Sequence, residues 1–198
     1  MHTESAREDL AYLRQLIEDT RQATYVSGQY FIVWGVAVGL GLVATWLGLR
    51  GELPISIFLA WIICMAAGGL GTFLLVRAER NLPVQTHASR VIGKVWMTMG
   101  ISMMVLFFAG AATGRIDGHL MLPLSCLLIA GPFYVTGLLA RLYWMQFLAF
   151  AWWLGAAVML LWPGMYNLLL MGLLLFALYV VPGIILVRMN LRAERSLP

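Results

Sequence analysis

The sequence predicts an all-α integral membrane protein whose six transmembrane helices form three helical hairpins, preceded by a short amphipathic cytosolic helix. Three observations predict this fold. The chain of 198 residues is 62% hydrophobic and 11% charged, which is too much apolar surface for a water-soluble core of this size. Six apolar runs follow one another, each long enough to cross about 30 Å of hydrocarbon as a helix. A short basic segment occurs twice, each time directly after an apolar run.

The N-terminal segment, residues 1–26, is predicted to form an amphipathic cytosolic helix. It opens with a capping box at residues 5–8, in which a serine is followed three positions later by a glutamate. Apolar residues then recur on one narrow face, at Ala6, Leu10, Leu13 and Ile17. Three arginines against five acids disfavour binding to anionic lipid, so we expect the helix to dock on its own membrane domain or to pair with another protein.

The transmembrane domain is predicted to cover residues 27–190, followed by a basic cytosolic tail at 191–198. Alternating crossings place every one of the thirteen Lys and Arg residues on one side, except Arg50 and Arg115. The positive-inside rule then predicts a multi-pass protein with both termini in the cytosol. For so short a chain, the membrane we expect is a bacterial inner membrane. The predicted spans are 30–49, 55–76, 91–113, 120–140, 142–162 and 166–187.

The repeated segment indicates that the hairpins are related. Residues 77–83 read RAERNLP and residues 192–198 read RAERSLP, so six of seven positions match. Each odd-numbered span also carries a tryptophan near its cytosolic end, and each even-numbered span leaves the membrane on an arginine. These residues are Trp34, Trp96 and Trp144, and Arg77, Arg141 and Arg188. Interfacial tryptophan and cytosolic arginine are common in helical hairpins, so only the repeated segment exceeds what such hairpins usually contain.

The span interiors contain almost no ionisable chemistry. They hold no Asp, Glu or His, and their one basic residue is Lys94, close enough to an end to reach the interface. Proton-coupled and cation-coupled carriers usually need an ionisable group inside the membrane. We therefore predict no catalytic, cofactor or metal site. Nucleic acid is not an expected partner, because the basic residues lie between and outside the apolar runs.

Helix-breaking residues in the even-numbered spans suggest a candidate cavity or hinge. Proline removes an amide donor and frees a carbonyl one turn earlier, and such breaks can line a cavity within a bundle. The alternative is that Gly and Pro only permit packing, as they do in many membrane helices. The candidate residues are Gly71, Pro132, Tyr134, Gly137, Tyr179 and Pro182.

Two glycine pairs have the spacing that lets another helix approach closely. Gly35 and Gly39 are four residues apart, as are Gly110 and Gly114. The neighbouring helix could belong to the same bundle or to another subunit.

The leading functional prediction is a non-catalytic membrane protein that acts by interaction, as an accessory or regulatory subunit with a basic cytosolic face. Its expected partners are membrane lipids and a protein or a second copy, bound through the N-terminal helix and that face. The alternative is a facilitator or substrate-binding subunit for a small neutral or apolar solute. In size and topology alone, the chain resembles the small substrate-binding membrane subunits of vitamin importers. The candidate interaction residues are Arg77, Arg80, Arg192 and Arg195.

Overall fold

The computed structural model describes residues 27–52, 54–79 and 87–195, and every regular element in these ranges is helical. The predicted N-terminal helix at 1–26 and the candidate residue Arg80 lie outside them. A short π-helical segment, here called the π turn, separates the last two helices. The elements are α1 (Gly28–Leu49), α2 (Ile57–Glu79), α3 (His87–Thr113), α4 (Gly118–Leu139), α5 (Tyr143–Leu161), α6 (Tyr166–Leu175), the π turn (Phe176–Val180) and α7 (Val181–Arg195).

Six helical segments of the described chain are long and apolar enough to span a membrane, so the multi-pass prediction is confirmed at that level. Each overlaps one predicted run, and α6, the π turn and α7 together form the sixth. The ends differ by a few residues. Helix α3, for example, begins at His87 rather than at the predicted residue 91. Hydropathy marks the apolar part of a helix, whereas the backbone continues helically into the polar region beyond it.

Consecutive spans run antiparallel, but the tightest pair is not one of the predicted hairpins. The most extensive helix–helix contact joins α4 to α5 across the short turn at residues 140–142. Helix α7 packs on α1 and makes no comparable contact with α5, its predicted hairpin partner. The division into three hairpins is therefore not confirmed, because α4 packs most extensively on α5, which belongs to the next predicted hairpin, and α7 packs on α1.

Each core helix buries one face with alternating steps of three and four residues, the spacing of helices packed side by side. The clearest case is α5, whose buried face is fully shielded from its surroundings. Helix α4 presents a matching face that includes Cys126, Ala130 and Phe133. The buried residues of α5 are Met145, Ala149, Trp152, Ala156 and Met159.

Two glycines let α1 and α7 cross at very short distance. A Cβ atom added to Gly28 would lie 2.8 Å from Leu186 Cβ and would also overlap the carbonyl oxygen of Gly183. A Cβ atom added to Gly183 would lie 2.9 Å from the carbonyl oxygen of Gly28. Backbones meet this closely only where neither residue has a side chain, so this crossing closes the bundle between its first and last spans.

The π turn lies directly before Pro182. The amide of Val181 donates to the carbonyl of Phe176, five residues earlier, instead of four. Pro182 has no amide hydrogen, so the regular i to i−4 ladder is interrupted at this point. On α1, a Cβ atom added to Gly35 would lie 2.5 Å from Val180 Cγ2, whereas one added to Gly39 would meet nothing within 4 Å. Only the first glycine of this predicted pair therefore receives a close neighbour.

Candidate functional site

The centre of the bundle is filled by one aromatic ring from each of five segments. We call Phe31, Trp96, Phe133, Trp152 and Tyr179 the central aromatic cluster; they come from α1, α3, α4, α5 and the π turn. Neighbouring ring centroids are 5.0 Å apart for Phe31 and Trp96 and 5.5 Å apart for Phe133 and Tyr179. Most of these pairs meet edge to face or tilted, as the charge distribution of aromatic rings favours.

Trp152 differs from Trp34, Trp61 and Trp96 in its hydrogen bonding. Its side chain is completely buried, and its Nε1 donor has no acceptor among the described residues. It lies against Phe133 and Tyr179, with centroid distances of 6.3 and 6.4 Å. An unsatisfied donor in apolar surroundings costs about 1–3 kcal/mol. The cluster therefore contains one polar atom whose hydrogen-bonding capacity is unused.

Three other tryptophans hold neighbouring helices together through threonine hydroxyls. Trp34 Nε1 donates to Thr72 Oγ1 at 2.9 Å, which joins α1 to α2. Trp96 Nε1 donates to Thr136 Oγ1 at 3.0 Å, which joins α3 to α4 in the same relative position. The third bond also joins α1 to α2, from Trp61 Nε1 to Thr45 Oγ1 at 2.9 Å. The first predicted hairpin, α1 with α2, and the second, α3 with α4, thus contain the same tryptophan–threonine bond.

The two proline breaks meet at the central aromatic cluster. Pro132 is buried and directly precedes Phe133, while Tyr179 and Pro182 are buried at the π turn and the start of α7. Because Phe133 and Tyr179 are in ring contact, the sequence-predicted break positions on α4 and α7 are brought to one place.

The other three candidate cavity residues lie elsewhere. Gly137 is buried in the seam with α5, where an added Cβ atom would be 2.8 Å from Gln146 Cγ. Gly71 faces Val33 between α1 and α2. Tyr134 is exposed on the outside of the bundle, where its ring contacts Phe150 and Trp153. These three residues therefore do not join the central aromatic cluster.

The basic residues gather at the end of the bundle where α2 and α4 finish; we call this the arginine end. Arg77 and Arg192 are exposed there, as are Arg90, Arg141 and Arg188. Arg195 is the last residue of α7. At the opposite end, Arg50 pairs with Glu52 at 2.9 Å and lies 4.4 Å from the ring centroid of Trp46. In helices α4 to α7, as far as Arg192, all the exposed charges described at the arginine end are therefore positive.

Arg141 has a feature that no sequence pattern suggested. Its φ is +55°, in the left-handed region that residues with a side chain rarely adopt. It follows the last turn of α4, where the amide of Leu142 donates to the carbonyl of Gly137 at 2.9 Å. This is the Schellman arrangement, and glycine is the residue usually found at that position. At this position an exposed arginine is therefore held in a strained backbone conformation.

The chemistry available in the core is neutral hydrogen bonding and aromatic contact. Among the described residues, no three His, Cys, Asp or Glu side chains are close enough to hold a metal ion. Asn167 is buried in α6, and its amide donates to the carbonyl of Met159 at 3.1 Å. The Asn167 amide is thus already hydrogen-bonded, whereas the indole N–H of Trp152 is available to donate to an oxygen atom of a neutral molecule.

Sequence reasoning did not single out Trp152, Thr136 or Arg141 as candidate functional residues. Thr136 could have been found from the matching distance of Thr72 and Thr136 to their exit arginines. No signal in the sequence separates Trp152 from the adjacent Trp153, because which of the two faces the core depends on the rotation of α5.

No protein-family model, curated protein or solved structure matches this chain.

Proposed function

We propose that this chain is a non-catalytic membrane protein that acts by interaction, as an accessory or regulatory subunit whose arginine end binds an acidic protein partner. The single observation that supports this most directly is the left-handed Arg141 at that end. Unfavourable backbone conformations are retained where the residue has a role that glycine could not fill. Replacement of Arg141 by glycine would relieve the strain but remove the exposed guanidinium.

The proposed setting is a bacterial inner membrane with the arginine end and both termini in the cytosol, arranged as three related hairpins. The asymmetry of positive charge supports this orientation. In a variant without Cys64 and Cys126, a cysteine at Gln29 tests one end and a cysteine at Ser56 tests the other. A membrane-impermeant maleimide should label Ser56→Cys in intact spheroplasts and Gln29→Cys only after permeabilisation. The reverse pattern would contradict the orientation.

The interaction itself is tested by native mass spectrometry of the protein extracted gently from its own membrane. We expect a stoichiometric partner that is lost in the Arg77→Gln, Arg141→Gln, Arg192→Gln triple variant and kept in Arg115→Gln, which removes a charge at the other end. A lone monomer, or association that survives the triple variant, would contradict the proposal. Retention of anionic lipid alone at the same residues would also contradict it, because the partner would then be lipid and not protein.

The second candidate function is a facilitator or binding subunit for a small neutral or apolar solute. The convergence of the Pro132 and Pro182 breaks on the central aromatic cluster favours it. Each proline leaves one amide out of the hydrogen-bond ladder of its helix, next to or one turn from a ring of the cluster.

Alanine at Pro132 and at Pro182 would restore an amide donor to the hydrogen-bond ladder of each helix. Under this function, each variant should change the uptake or retention of the solute. Pro163→Ala, in the loop between α5 and α6, is the control proline. If both core variants behaved as wild type, the second candidate would lose its structural support.

A further inference from the structure

We propose that Trp152 donates its indole N–H to the oxygen of a small neutral ligand that binds between α4, α5 and the π turn. This inference rests on the second candidate function, to which it adds the contacting atom and the class of ligand. The ligand is an uncharged molecule with an apolar or aromatic body and an oxygen that accepts a hydrogen bond, such as a ketone or an ether.

Trp152 contrasts with the three tryptophans that join neighbouring helices, because its buried indole N–H has no acceptor among the described residues. Trp34, Trp61 and Trp96 each donate to a threonine hydroxyl of a neighbouring helix at 2.9 to 3.0 Å. Trp152 Nε1 is completely buried and has no such acceptor in the described chain. Gln146 Nε2 has no described acceptor either, but Gln146 is only half-buried, and its longer side chain can rotate toward the surroundings. The indole of Trp152 is completely buried, so its N–H cannot reach an acceptor outside the bundle in the same way.

The surroundings of this donor determine the chemistry of the ligand. An indole nitrogen can donate but cannot accept, so the ligand must supply the acceptor. The side chains in contact with Trp152 include Phe133 and Tyr179, and neither carries a charge that could neutralise an ion. A charged ligand would be left unpaired in apolar surroundings, whereas a neutral one keeps its body against aromatic rings.

Two walls of the proposed site belong to segments that carry a proline close to a ring of the central aromatic cluster. Phe133 follows Pro132, and Tyr179 is part of the π turn that precedes Pro182. Both helices lack the proline amide in their hydrogen-bond ladder, so they can bend more easily there than a regular helix. We infer that the rings of Phe133 and Tyr179 move apart when the ligand enters beside Trp152.

Two probes of nearly the same shape isolate the hydrogen bond. Acetophenone carries a carbonyl oxygen where cumene carries a methyl group. Equilibrium dialysis of both probes against the full-length protein, in one detergent, gives the ratio of their affinities. Each probe partitions into the micelles to the same extent whichever variant is present. This partition therefore cancels when the acetophenone-to-cumene affinity ratio is compared between variants. We expect Trp152→Phe to lower the acetophenone-to-cumene ratio by about three- to tenfold, the value of one hydrogen bond.

The matched control is Trp153→Phe, because Trp153 is next in the chain and contacts Tyr134 and Phe150 on the outer surface instead. Its ratio should equal that of wild type. An equal ratio in wild type and Trp152→Phe would overturn the proposal, as would an equal fall in both variants. Absence of measurable binding of acetophenone to wild type would also overturn it.

A second measurement does not depend on the folding of a variant. In wild-type protein labelled with ¹⁵N-tryptophan, acetophenone should move one indole N–H proton resonance downfield, and cumene should not. Identical spectra with the two probes would contradict the proposal. If the proline variants alter solute binding while the Trp152 tests fail, the second candidate function survives and only this inference is lost. If no solute binds and the proline variants have no effect, both are lost.

Discussion

Helices α2 and α4 are equally suited to a membrane by composition, yet they have opposite places in the bundle. In the most apolar window of α4, 44% of the residues are buried, against 11% in α2 and 6% in α3. Helix α2 is at least as hydrophobic as α4 by mean hydropathy. Lipid tails are as apolar as a leucine side chain, so hydrophobicity alone does not draw one helix to the centre. What distinguishes α4 is its side-chain shapes.

Helices α2 and α3 each pack closely on a single neighbour, α2 on α1 and α3 on α4, and leave most of their surface exposed. Trp34 and Thr72 join α2 to α1, and Trp96 and Thr136 join α3 to α4. Rings of Phe58 on α2 and Phe107 on α3 stack with centroids 6.0 Å apart. We therefore expect substitutions on the outer faces of these two helices to have small effects, and substitutions in the α1, α4, α5 and α7 contacts to have large ones.

The largest effect is expected at the crossing of α1 and α7. Gly28→Ala introduces a Cβ atom into backbone contact with Gly183, and backbone cannot rotate away as a side chain can. We expect a loss of about 3 kcal/mol in the free energy of unfolding. The measurement is denaturation by SDS in mixed micelles. Gly39→Ala on the same helix is the control, with an expected gain of about 0.5 kcal/mol from helix propensity. Equal effects would contradict the close crossing.

The contrast between core and outer helices is tested by removing the same side chain from each. Met159 is completely buried in α5, and Met97 is 61% exposed on α3. Met159→Ala should cost about 2 kcal/mol, because it leaves a gap that neighbours fill only in part. Met97→Ala should cost less than about 0.5 kcal/mol, since lipid or detergent replaces the lost contacts. Similar losses in SDS denaturation would indicate that α3 is covered by protein in the membrane.

The tryptophan–threonine bonds should have intermediate effects that differ between the two regions. Thr136→Val removes the acceptor of Trp96 at a fully buried position, and Thr72→Val removes that of Trp34 at a half-buried one. We expect losses of about 1 kcal/mol at Thr136 and about 0.5 kcal/mol at Thr72. Thr113→Val is the control, because this exposed threonine bonds only to backbone groups of its own helix end and of the loop that follows, and joins no second helix. A loss at Thr72 as large as at Thr136 would show that burial does not set the strength of this bond.

The last expected effect has the opposite sign and concerns Arg141 at the arginine end. Arg141→Gly relieves a left-handed conformation at the end of α4 and should stabilise the protein by about 1 kcal/mol. Arg141→Gln removes the charge but keeps the side chain, and should leave the free energy of unfolding unchanged. A gain of equal size in both variants would mean that charge repulsion at the arginine end, and not backbone strain, was relieved.

The candidate site was only partly accessible from the sequence. Pro132 and Pro182 could be identified as breaks because proline lacks an amide wherever it stands. Their meeting through Phe133 and Tyr179 could not be foreseen, because it requires the distance between two helices that are far apart in the chain. The glycine spacing was a similar case: Gly35 meets Val180, whereas Gly39 lies in open space.

The sequence by itself determined that six helices can span a membrane, where their apolar segments lie, and which residues form the basic groups between them. These properties follow from composition along the chain, because each span must satisfy its own backbone and exclude charge independently of its neighbours. Tertiary structure alone decided that α4 pairs with α5, that α7 closes on α1, and that Trp152 is completely buried while Trp153 is only half-buried. The physical reason is that the rotation of a span about its axis is set by shape complementarity with other helices. The hydropathy of one span contains no information on that complementarity.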